Sequence, residues 1–154
     1  MAKTVKETTT EQFIKDEIIR LGGYVIKNQA YGATGKGKPD LSACLYGMYV
    51  GLEVKRSKGE CETTAAQLTH LIRITKAGGL AYITKTADCL TNSNYDTMDI
   101  VESDLENIDE VTHNELKLIM TQINKPDFKW CKLNIVDNKL VYHIYHWKEC
   151  DDIW

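Results

Sequence analysis

Two apolar runs, LSACLY and MYVGLEVK, meet at Gly47, and this pattern predicts a β-hairpin. A hairpin turning there sets residues 40–41 opposite residues 53–54, so Asp40 stands beside Glu53. Glu53 and Lys55 lie two apart on one strand and share a face. Carboxylates and an ammonium are rarely buried in a sheet unless they pair or bind something. Two close carboxylates repel, and one rises in pKa unless a cation sits between them. A hard divalent ion takes oxygen ligands and keeps several waters, which suits that gap. The main-chain carbonyl of Val54 adds a third oxygen, and Lys55 points at a water or a phosphate oxygen. That combination fits metal-assisted hydrolysis of a phosphodiester.

The flanking sequence places this hairpin in an α/β unit. Residues 1–10 read as polar and frayed, and a helix follows through TTTEQFIKDEIIRL. Its inner stripe is Phe13, Ile14, Ile18 and Leu21. Thr8-x-x-Glu11 and Thr9-x-x-Gln12 both fit a capping box, and Gly22-Gly23 ends the helix. YVIKNQ is a short strand, and YGATGKGKPD a basic, Gly-rich loop. After the hairpin and the loop SKGECE, TTAAQLTHLIRITKAGG is a second helix with Thr64-x-x-Gln67 as its capping box. LAYITK is a fourth strand. The order to residue 85 is α-β-β-β-α-β. Beyond it, TADCLTNSNYDT reads as a loop, DIVESDLENI and THNELKLIMTQI as helices, and FKWCKLNIV-DN-KLVYHIYHW as a hairpin turning at Asp137-Asn138.

Pro39-Asp40…Glu53-Val54-Lys55 resembles the PD-(D/E)xK nuclease motif. G-K-P-D-L, G-L-E-V-K-R, a helix with an early Gln67, and A-G-G-L-A-Y together resemble the VRR-NUC branch. The opening helix with Thr10-Glu11…Ile14…Ile18 matches as well. The resemblance covers residues 10–86. It implies a restriction-endonuclease-like fold, a small mixed sheet flanked by helices, and Mg²⁺- or Mn²⁺-dependent cleavage of DNA. Compact stand-alone members, many of them viral, are similar to Holliday-junction resolvases and act as homodimers. A phage-encoded DNA endonuclease acting on branched DNA is therefore the expectation. By the same resemblance Asp40, Glu53 and the Val54 carbonyl would bind metal, with Glu11 completing the site. Lys55 would orient or deprotonate the attacking water, and Gln67 would touch the metal water or the scissile phosphate. Where the family signature has Val-Arg-Arg, this chain has Val54-Lys55-Arg56.

Each assignment has a plainer alternative. Asp40 taken alone reads as a turn residue after Pro39, and Glu53 and Lys55 as a solvated strand face; the whole pattern in order outweighs that reading. Glu11 and Gln67 each fit a capping box, and Glu17 is the fallback carboxylate on the first helix. Lys27, Lys36, Lys38, Arg56 and Lys58 are expected to meet DNA phosphates, with ordinary surface charge as the alternative. His143, His146 and Cys150 have a zinc-like spacing, but residues three apart on a strand face opposite sides. Tyr142, Tyr145 and Trp147 are assigned to core or to a subunit interface, and Cys61 to no chemistry.

The chain of 154 residues is 43% hydrophobic and 27% charged, and it suits one domain with a proper core. Its longest apolar stretch is far short of a membrane span. MAKTVKETTTEQF lacks the apolar core of a signal peptide, and the five scattered Cys show no C-x-x-C. A reduced, cytoplasmic protein with no membrane partner and no small-molecule cofactor is expected. Residues 1–86 hold 13 Lys+Arg against 8 Asp+Glu, whereas residues 87–154 hold 6 against 14. A basic nuclease core, 10–86, would thus carry an acidic α+β extension, 87–154, packed on it. The extension is expected to serve as a homodimer interface or a regulatory surface. The alternative function is a catalytically idle DNA-binding module, or one regulated by its acidic tail.

Overall fold

The structure, a computed structural model, describes residues 7–28, 36–57, 59–91 and 98–147. Lys58, Cys150 and the first half of the Gly-rich loop, residues 31–35, lie outside the described residues.

Helix α1 (Glu7–Arg20) turns Ile14 and Ile18 fully inward. It closes in a Schellman motif: Gly22 N–H donates to the Ile19 carbonyl at 3.0 Å and Gly23 N–H to Ile18 at 2.8 Å. The helix begins earlier than the frayed reading of residues 1–10 allowed. Thr8 and Thr9 thus sit inside its first turn rather than at its cap. Phe13, expected on the inner stripe, is 57% exposed, because the buried face follows Thr10, Ile14 and Ile18 instead.

β1 (Tyr24–Lys27), β2 (Leu41–Leu45) and β3 (Met48–Val54) form an antiparallel meander. β2 and β3 join through Tyr46 and Gly47, both at positive φ (54° and 76°), as a two-residue type I′ hairpin requires. Helix α2 (Ala65–Lys76) then crosses to β4 (Leu80–Thr84), which pairs parallel with β3. The αβββαβ order of the expected core is present.

The second half differs from expectation in one element. MDIVE is a strand, β5 (Met98–Glu102), where the sequence reading placed a helix. It pairs with β7 (Lys139–His146), and tertiary pairing overrides the helical pattern. The rest of that pattern is diverted by local bonds: Leu105 N–H donates to Ser103 Oγ and Asp109 N–H to Asn107 Oδ1. A 3-10 turn at Ala87–Leu90 lies within the expected loop. Helix α3 (His113–Ile123) and the hairpin of β6 (Phe128–Val136) with β7 are as expected, and Asp137 and Asn138 both have positive φ.

All seven strands form one sheet in the order β1-β2-β3-β4-β6-β7-β5. β6 pairs antiparallel with β4, so the acidic extension continues the sheet edge to edge. Two apolar layers cover the sheet. Ile14 and Ile18 of α1 pack with Leu41, Val50, Leu52, Val54 and Trp130 on one face. Leu68 and Leu71 of α2 and Ile119 and Ile123 of α3 pack with Ile83, Cys131 and Tyr142 on the other. Tyr142 is fully buried, and Tyr145 stacks on Trp130 with ring centroids 3.7 Å apart. These two rings are core, which removes them as a subunit interface. Trp147 lies under the Lys129 ammonium.

Candidate active site

The register Leu41↔Leu52 puts Asp40 one step beyond the last β2–β3 pair, level with Glu53. Asp40 is held from both sides. Asn28 N–H donates to its carbonyl at 2.9 Å, and Asn28 Nδ2 donates to the Pro39 carbonyl at 2.7 Å. Its own Oδ2 accepts the Val54 N–H at 2.7 Å, which ties it to the end of β3. Gly51 lets this happen: a Cβ there would lie 2.6 Å from Ile74 Cδ1 and 3.2 Å from Pro39 Cγ. Without that side chain, α2 and the Pro39 turn both settle onto β3 beside Glu53.

Glu53 is 2% exposed and Lys55 is 6% exposed, so the solvated-face alternative does not hold. Lys55 Nζ donates to the Glu62 carbonyl and lies 3.7 Å from Glu53 Oε1. Gln67 Nε2 donates to the same Oε1 at 3.1 Å. The other oxygen, Oε2, is buried and receives no hydrogen bond, although the protonated carboxyl is within hydrogen-bonding reach of Asp40. Burial pushes the Glu53 carboxyl up to about 9; the nearby Asp40 adds to the rise and Lys55 opposes it. A bound cation would stabilise such a buried pair of carboxylates.

A cavity of about 600 Å³ opens over these groups, with Asp40, Glu53, Val54, Lys55, Arg56 and Gln67 in its walls. Glu7, Glu60, Cys61 and Glu62 complete it. Among the described residues no three His, Cys, Asp or Glu side chains converge as a metal cluster. The donor set is two carboxylates and main-chain oxygen, which fits a hard ion that retains water better than a soft or closed site.

The structure sorts the remaining sequence candidates. Glu11 is buried and bound by Lys27 Nζ at 2.7 Å, and it is not in the cavity wall. The carboxylate that α1 does present to the cavity is Glu7, one turn earlier. The sequence reading missed it by treating residues 1–10 as frayed, although Glu7 and Glu11 share a helix face. Glu17 pairs with Arg20. Gln67 completes its capping box, since Thr64 N–H donates to its Oε1 at 2.9 Å, and its Nε2 also reaches Glu53. Lys36 and Lys38 are exposed beside the Pro39 turn, and Arg56 reaches the Glu60 carbonyl at the rim. His146 lies against Asp99 and Asp127, so its surroundings are carboxylates rather than a second imidazole.

No protein-family model matches the sequence, and no curated protein matches it. Among solved structures, the chain is similar to Hjc, a Holliday junction resolvase from Archaeoglobus fulgidus, at 24% identity and a TM-score of 0.40. The match covers 50% of this chain and 65% of that one, just under two thirds of its length. At that identity and TM-score the likeness does not assign chemistry.

Proposed function

We propose that this chain is a divalent-metal-dependent endonuclease that hydrolyses phosphodiester bonds in DNA. The observation that carries the proposal is the convergence of Asp40, Glu53 and Lys55 on one cavity, with a Glu53 oxygen buried and receiving no hydrogen bond. Asp40, Glu53 and the Val54 carbonyl would hold Mg²⁺ or Mn²⁺, with Glu7 on the same wall. Such an ion, when bound, supplies charge neutralisation at the phosphate and an activated water.

The chain's own residues do the rest. Val54 N–H fixes one oxygen of Asp40, so its other oxygen is the one free to act. Gln67 fixes Oε1 of Glu53, and Oε2 receives no hydrogen bond. The Glu62 carbonyl holds the Lys55 ammonium over Glu53, where it orients the attacking water or stabilises charge on the phosphate. Arg56 lines the cavity; Lys36 and Lys38, exposed beside the Pro39 turn, would contact phosphates rather than bases, as would Lys58 outside the described residues. Lys27 is engaged by Glu11, half exposed, and keeps donors for a backbone contact.

A junction or other branched DNA as substrate, a homodimer with two sites, and phage origin all come from the VRR-NUC resemblance. Symmetric resolution of a junction needs two active sites and hence a two-fold dimer. No helix among the described residues is long and apolar enough to cross a membrane. A panel of labelled four-way junction, flap, linear duplex and single strand, incubated with Mg²⁺ or Mn²⁺, tests the reading. Paired symmetric nicks in the junction support a resolvase. Cutting of the other substrates alone keeps the nuclease and removes the resolvase.

A further inference from the structure

Beside Lys55 the sheet places a second lysine that no carboxylate answers. β3 and β4 run parallel, with Val54 opposite Thr84, and Lys55 N–H donates to the Thr84 carbonyl at 2.8 Å. The next residue of that strand end is Lys85, level with Lys55. Its N–H is fixed to the Lys129 carbonyl at 3.0 Å, and its ammonium sits 5.6 Å from the centre of the Phe128 ring. It is half-buried, and burial lowers its pKa. Among the described residues it forms no ion pair, and neither does Lys125.

Both lysines open onto a second cavity, of about 570 Å³, with Ser57, Gly59, Glu60 and Asn124 in its wall. Glu60, exposed, also borders the catalytic cavity, so it stands on a ridge between the two. The ridge is clamped to the turn after α3. Asn124 Oδ1 accepts the Cys61 N–H at 2.8 Å, and Asn124 Nδ2 donates to the Cys61 carbonyl at 3.0 Å. Lys125 therefore comes from the acidic extension yet is held at a fixed place against the catalytic loop.

We propose that Lys85 and Lys125 form a phosphate subsite, which holds the backbone of the substrate strand beyond the scissile bond on the far side of the Glu60 ridge. The proposal rests on the nuclease reading for its ligand. A half-buried ammonium without an anion costs free energy in the free protein, and a backbone phosphate supplies the missing partner. The subsite makes the extension part of the substrate surface, despite its net negative charge.

The test is the salt dependence of DNA binding by the full chain, read by anisotropy of a labelled duplex in EDTA, together with cleavage in Mg²⁺. Lys85→Gln and Lys125→Gln are each expected to flatten the slope of log K against log[KCl] by about 0.9, and the double variant by about 1.8. Lys85→Arg is expected to keep the wild-type slope. In cleavage, KM rises in the Gln variants and kcat holds. Unchanged slopes in a wild type that does cut DNA overturn the subsite and leave the nuclease reading standing. Flattened slopes in a protein that binds but never cuts do the reverse. A wild type that binds no DNA overturns both. If Lys85→Gln does not fold, the exposed Lys125 decides.

Discussion

Gln67 Nε2 lies 3.1 Å from Glu53 Oε1 while Gln67 Oε1 accepts the Thr64 N–H at 2.9 Å. One side chain thereby joins the start of α2 to the buried carboxylate of β3. Gln67→Glu keeps an acceptor for the cap but sets a carboxylate against Glu53. We expect near-wild-type thermal stability with DNA cleavage reduced by tenfold or more. Gln67→Ala removes both bonds and is expected to cost about 0.5–2 kcal/mol in a denaturant melt as well as activity. Undiminished cleavage in Gln67→Glu would leave the residue as a cap alone.

Glu53 gives the pH dependence. Its folded pKa is raised from 4.5 to about 9, so the folded state holds this proton more tightly than the unfolded chain does. Its contribution to stability is full below about pH 4.5 and is lost as the pH rises toward about 9. Glu53→Gln removes that penalty, and at pH 7 it should stabilise the metal-free protein on the order of 3 kcal/mol. A bound divalent ion favours the carboxylate instead. Mg²⁺ should therefore raise the wild-type melting temperature more at pH 8 than at pH 6, and leave Glu53→Gln unmoved. Melts by differential scanning fluorimetry check both statements.

The two carboxylates of α1 separate structure from chemistry. Glu7→Gln, in the cavity wall, is expected to lower metal-dependent cleavage more than Glu11→Gln. Glu11→Gln weakens the pair with half-exposed Lys27, which is worth about 0.2–1 kcal/mol. Apparent metal affinity, from cleavage rate against Mn²⁺ concentration, should shift for Glu7 and not for Glu11.

The extension is expected to be inseparable from the core. Glu115 is fully buried, and it accepts the Tyr142 hydroxyl and the Asp104 N–H, each at 3.1 Å. Glu115→Ala leaves the buried Tyr142 hydroxyl and that N–H unpaired, at about 2–4 kcal/mol. If the molecule melts as one unit, the loss appears as a single shifted transition for the whole chain. A truncation after residue 86 strips β6 from β4 and uncovers the layer over Ile83. It should aggregate rather than bind DNA more tightly, which a sedimentation assay reads.

The hairpin at Gly47 and the Asp40–Glu53 juxtaposition were legible in the sequence because strand period and a two-residue turn fix them locally. Gln67 was legible through its spacing from Thr64. Glu7 was not, since the capping boxes read at Thr8 and Thr9 set the helix start after it. β5 was misread as a helix because its partners on β7 lie 39 to 47 residues away, and only that pairing selects the strand. The burial of Tyr142 and Tyr145 likewise depends on β6 adding to β4, a contact with no local signature. Nothing in the sequence singles out Lys85; only the parallel register places it beside Lys55.

The decisive measurement is cleavage of labelled DNA by wild type and Lys55→Ala, each with Mg²⁺ and with EDTA, after circular dichroism shows both are folded. Wild type should cut only with the metal, and Lys55→Ala should lose at least about 10²-fold in rate. Cutting in EDTA, equal cutting by the variant, or no cutting by folded wild type would contradict a metal-dependent nuclease built on Asp40, Glu53 and Lys55.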